Sequence, residues 1–122
     1  MSVETEILQA LSGDVALMAL LGSGDRLMNG NLKKKLPLPP PLILVETLCG
    51  EPEVVGEEGI LADRWTCSLW LIAEGSVAAI EEAAKKVMEQ IGFELTAMDR
   101  IPADKPEMTC LEVKFDGFRI RQ

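Results

Sequence analysis

The chain has 122 residues, the size of one ordinary domain, and its 48% hydrophobic and 26% charged composition is globular rather than disordered. Its net charge of −8, from 20 acidic against 12 basic residues, argues against tight general binding of nucleic acid, whose phosphates need neutralising cations. No apolar run is long enough to cross a bilayer, and Glu4 and Glu6 make the N-terminus unlike a signal or transit peptide, so a soluble intracellular protein is expected.

In chain order, Ser2 suits a helix N-cap, after which Ile7, Leu8, Leu11, Val15, Met18 and Leu21 recur at helical spacing. Ser12, Gly13 and Asp14 interrupt that spacing, which predicts a kinked helix or two short ones ending near Gly22. Residues 23–41 read as a long proline-rich loop or arm. The run LILVETL, 42–48, has strand length and branched side chains, and an acidic loop marked by Gly50, Gly56 and Gly59 follows it.

Alternation returns over 62–73. Trp65, Cys67, Leu69, Leu71 and Ala73 fall on one side, the expected core, and Arg64, Thr66, Ser68, Trp70 and Ile72 on the other. Ser76 precedes the clearest helix, with Val77, Ile80, Ala84, Val87, Met88 and Ile91 in one stripe and Gly92 at its end. Two further strands are predicted near 93–101 and 108–121. In the last, Leu111 and Val113 share the core parity, and a bulge at Gly117 is expected to reset the phase for Phe118 and Ile120.

The order helix, strand, strand, helix, strand, strand predicts a single α+β domain over 1–122. It is a four-stranded, mostly antiparallel sheet with two main helices packed on one face, or three if Gly13 splits the first. The opposite face, carrying Trp70 and Ile72, is more apolar than free solvation requires. Trp70 has two readings, a core residue or an interface anchor.

The sequence holds no histidine and no tyrosine, which removes the commonest general base and the commonest neutral metal ligand. No G-x-S-x-G elbow is present, and Gly22-Ser23-Gly24-Asp25 follows a helix and lacks the Lys-Ser/Thr ending of a phosphate loop. The acids Glu51, Glu53, Glu57, Glu58 and Asp63 do not follow a calcium-loop spacing, and a solvated acidic loop is expected. Cys49, Cys67 and Cys110 are far apart, form no C-x-x-C pair, and read as buried free thiols. No enzymatic activity, cofactor or metal is expected.

The stretch KKKLPLPPPLILVE, 33–46, offers two functions. Lys34-x-x-Pro37-x-x-Pro40 fits a polyproline II ligand for an SH3-like groove, whereas prolines abutting a strand also fit an extended arm that delivers the chain into the sheet. Lys33, Lys34 and Lys35 are too few, and lack the interleaved aromatics, for a nucleic-acid patch.

Across nearly the whole chain, ALLGSGDRLMNG, PLILVE, the acidic glycine-rich loop, RWTCSLWLIAEG and AAIEEAAKKVMEQI together resemble the small tail-terminator or tail-completion proteins of long-tailed phages and prophages. In that resemblance the leucine-rich helix end falls on Leu20 and Leu21, the basic-apolar pair on Arg26 and Leu27, the proline-led strand on 41–45 and the arginine-started strand on 64–71. The triple lysine and the long proline run depart from the family pattern. The resemblance implies a structural virion protein, a hexameric ring that caps the tail tube and joins tail to head. Its partners would be copies of itself, the tail tube protein and head connector proteins, with passive DNA passage and no membrane. The implied location is the bacterial host cytoplasm during assembly and then the virion tail or neck. Lys33, Lys34, Lys35, Pro37, Pro39, Pro40, Arg64 and Trp70 are the expected contact residues. Another neck or minor tail protein, or a non-phage adaptor using the proline segment, are the alternatives.

Overall fold

The computed structural model describes residues 2–30, 39–103 and 105–120. The Ser2 hydroxyl accepts the Thr5 N–H at 3.1 Å and starts α1 (Val3–Ser12). After the break at Gly13, the Asp14 carboxylate accepts the Leu17 N–H at 2.9 Å and starts α2 (Val15–Leu21), so the interrupted periodicity resolves into two short helices. A 3₁₀ turn at Gly24–Arg26 leads into β1 (Leu27–Asn29). There follow β2 (Leu42–Val55), β3 (Ile60–Glu74), α3 (Ala78–Gln90), β4 (Phe93–Ile101) and β5 (Met108–Ile120). Ser76 acts at the start of α3, where its hydroxyl accepts the Ala78 N–H at 3.1 Å.

The sheet order is β1-β2-β3-β5-β4, with β1 parallel to β2 and all other neighbours antiparallel. The expectation of four mostly antiparallel strands and two main helices is therefore corrected. Among the described residues the sheet is five-stranded and mixed, with three helices, within the same α+β class. The missed strand β1 lies inside the stretch read as a loop. Three residues are too short for alternation to show, and Leu27 gains its place by pairing with Ile43 rather than from any local pattern.

All three helices pack on one sheet face. Ile7, Leu11, Leu17, Leu21, Ile80, Ala84, Val87 and Met88 close over Ile43, Val45, Cys67, Leu69, Leu71, Val113 and Phe115 in one core, with Leu111 half-buried against it. The opposite parity builds a smaller cluster of Leu42, Leu44, Ile72 and Cys110, flanked by Met28, Trp70, Ile101 and Met108. Two clusters on opposite faces explain why LILV is apolar without alternating: Leu42 and Leu44 serve one face, Ile43 and Val45 the other.

At Gly117 the expected bulge is absent, and β3 and β5 pair without a register break from Ala62↔Ile120 to Glu74↔Met108. Glycine is needed there because a Cβ would lie 2.7 Å from Phe93 Cδ1. Without a phase reset, Phe118 and Ile120 project from the face away from the helices and are exposed. Arg119, on the helix side, donates to the Glu6 carboxylate and to the Ile91 carbonyl at 2.7 Å, and its guanidinium stands 4.7 Å from the Phe93 ring centroid. This one side chain ties β5 to α1 and to the exit of α3.

The β2–β3 hairpin is longer than the sheet body. A bulge between Cys49 and Pro52 marks where it leaves the body, and pairing continues to Val55↔Ile60 around a loop whose Gly56 and Gly59 take φ of 75° and 71°, values that favour glycine. This arm replaces most of the acidic loop expected from the sequence.

Candidate subunit interface

The expected contact residues do not converge. Lys33, Lys34, Lys35 and Pro37 lie outside the described residues. Pro39 is exposed, and its carbonyl accepts from Arg26 Nη1. Pro40 lines a shallow cleft of about 270 Å³ with Leu20, Glu74, Ser76 and Ile80, beside the start of α3.

Arg64 and Trp70 share the helix-free face of β3, but six residues separate them, about 20 Å along a strand. Arg64 is engaged within its own chain. Its Nε donates to Asp116 at 3.1 Å, Glu53 lies 3.6 Å from Nη1, and the Thr66 hydroxyl donates to the other Asp116 oxygen at 3.2 Å. The hydrogen bond and charge of Asp116 raise the Arg64 pKa further above its ordinary value. Arg64 thus braces the base of the arm, on β2, against β5.

Trp70 stands across from Leu44 on one side and Glu112 on the other, half-buried at the edge of the smaller cluster. Its Nε1 is buried and finds no hydrogen-bond acceptor among the described residues.

Two surfaces escaped sequence reasoning. One is the arm with the neighbouring end of β5, counted with the arm from here on, apolar on both faces: Val54 and Leu61 pair on the helix side, while Ile60 on β3 and Ile120 and Phe118 on β5 follow one another on the opposite side. The other is the helix-side face of β4, where Leu95, Met98 and Arg100 pair with Phe115, Val113 and Leu111 yet remain exposed beyond α3. The arm had a readable signal in Val54-Val55 and Ile60-Leu61 around a four-residue loop with a glycine at each end. The β4 surface had none, because a bulge at Thr96 shifts the parity of Met98 relative to Leu95.

The thiols fit a structural part. Burial pushes Cys67 up to about 12, with the Glu4 charge adding to it, and burial with the Glu112 charge pushes Cys110 up to about 11. Both therefore stay protonated near neutrality. Cys49, expected to be buried, is exposed on the open edge of β2. A second cleft of about 370 Å³ lies beside Ile101, Pro106 and Met108, and its charged lining groups are Arg100 and Lys105. Among the described residues no three histidine, cysteine or acidic side chains gather into a metal-binding group, and no helix is long and apolar enough to cross a membrane.

No protein-family model matches the sequence, and no curated protein matches it. The fold is similar to that of a chain in the structure of the virion of a native gene transfer agent (GTA) particle. The two superpose with a TM-score of 0.64 at 15% identity, over 98% of this chain and 96% of that one.

Proposed function

We propose that this chain is a structural protein of a phage-like virion, and more specifically a ring-forming subunit at the tail end that meets the head. The observation that carries this reading is the likeness of fold to a chain in the structure of a gene transfer agent virion, over 98% of this chain and 96% of that one. The sequence resemblance to tail-terminator proteins supports the finer assignment. A ring requires two unlike, mutually complementary surfaces on each subunit. The exposed apolar arm and the exposed β4 face meet that requirement. In this reading the protein works by shape and assembly, without catalysis, and its acidity keeps a lumen from gripping passing DNA.

The test is made on particles. Antibody raised against the chain should label purified virions at the junction of tail and head, and tails made without the chain should fail to join heads until it is added. Labelling along the tail or at its distal tip would assign another minor tail role, and particles that lack the chain would overturn the reading.

A further inference from the structure

We propose that the chain associates head to tail with a second copy of itself through the helix-free face of the arm, formed by Ile60, Phe118 and Ile120, and the helix-side face of β4, formed by Leu95, Met98 and Arg100. This deepens the ring reading by naming its contact. The two patches are unlike in sequence and lie on opposite faces of one sheet. When two copies in similar orientation overlap like shingles, the back of one sheet meets the front of the next, which is the opposition these patches require. A two-fold dimer would instead match one patch with itself.

Both surfaces hold exposed large apolar side chains close together. Phe118 is 43% and Ile120 65% exposed on the arm, and Leu95 is 38% and Met98 45% exposed on β4. Large apolar side chains clustered in this way mark contact surfaces rather than ordinary solvated ones.

Charge selects the partner. Between Gly50 and Gly59 the arm carries Glu51, Glu53, Glu57 and Glu58 and no cation. The nearest cation across the hairpin, Arg64, is committed to Asp116 and Glu53. On β4 the two faces are segregated: Glu94 and Asp99 share the helix-free parity, whereas the helix-side parity holds Phe93, Leu95, Met98 and Arg100. Arg100 makes no ion pair among the described residues. An acidic arm is therefore repelled by one face of β4 and attracted to the other.

Strand-edge pairing is the competing way to join two sheets, and β4 and the stretch of β2 that β1 leaves uncovered are built against it. β2 carries Glu51, Pro52, Glu53 and a bulge along its free edge, and β4 carries a bulge at Thr96 between Glu94 and Asp99. Charges, proline and bulges are the usual means of blunting an edge. Face overlap remains. Each patch is only a few side chains wide, so pairwise association is expected to be weak and to gain from ring closure.

Two blocked chains test the contact, an arm-blocked Phe118→Asp/Ile120→Asp variant and a shelf-blocked Leu95→Asp/Met98→Asp variant. In sedimentation velocity at high protein concentration, wild type should self-associate and each variant alone should stay monomeric. An equal mixture should form heterodimers and stop there, because one good arm and one good shelf remain. Arg100→Glu should weaken association by about tenfold, and Glu57→Lys/Glu58→Lys in the partner should restore it. Circular dichroism checks that every variant is folded. Monomeric wild type, blocked variants that still associate, or a mixture no different from its components would each overturn the proposal. Self-association by a chain absent from virions would leave the contact standing and remove the virion role, whereas labelled virions with no arm-to-shelf association would do the reverse.

Discussion

β2 and β3 belong to two regions with opposite physical logic. In the body of the sheet, 42–45 and 65–73, apolar residues meet helices on one face and the smaller cluster on the other, and all are buried except the half-buried Trp65 and Trp70; Leu48 and Cys49, at the body's edge, are exposed. Past the bulge at Cys49, 52–63, the same two strands keep pairing and keep their apolar residues, but no helix reaches them and Val54, Ile60 and Leu61 are exposed. The body's apolar residues answer to folding. Those of the arm pair across the hairpin but stay exposed in the single chain, and in the contact proposed above they answer to assembly.

Substitutions in the two regions should act on different properties. The largest effect is expected in the body: Leu69→Ala empties a fully buried site between the sheet and helices and should cost about 2–5 kcal/mol in denaturant unfolding. Gly117→Ala puts a methyl where the Phe93 ring lies and should cost about 1–3 kcal/mol, with relief when Phe93 is reduced to leucine in the same chain. Asp14→Ala removes the cap of α2 and should cost about 1 kcal/mol, whereas Asp14→Ser should restore most of it.

The thiols give a pH-dependent readout of the body. Cys67 and Cys110 have folded pKa values raised above the ordinary thiol value of 9.0, so the stability they contribute is whole below pH 9 and is lost as pH rises toward 11 to 12. Unfolding midpoints should fall across that window, and Cys67→Ala should flatten the fall. Near pH 8 a thiol reagent should modify Cys49 alone in the folded protein and all three thiols after unfolding. Rapid labelling of Cys67 in the folded state would contradict its burial.

Much of the body was legible in the sequence because its signals are local. Ser2 and the alternation from Trp65 to Ala73 follow from capping and strand parity, and the structure keeps both. What was not legible depends on partners distant in sequence. β1 exists by pairing with residues sixteen positions away. Gly117 was read as a bulge when its real constraint is the Phe93 ring. The bracing of Arg64 by Asp116 and Glu53 joins three strands and has no local signal. The arm was hidden by its acidic residues, which look like a loop until Val54 and Leu61 are paired across it. Trp70 was placed on the correct face, and its half-burial beside Glu112 is a tertiary fact that no local pattern encodes.

The division between body and arm is tested most directly by measuring stability and association on the same two variants, Leu69→Ala and Phe118→Asp/Ile120→Asp. The body variant should lose about 2–5 kcal/mol of unfolding free energy and still associate under conditions where it is folded. The arm variant should unfold within about 0.5 kcal/mol of wild type, as exposed substitutions do, and lose self-association. An arm variant that unfolds with the body, or one that associates like wild type, would contradict the account.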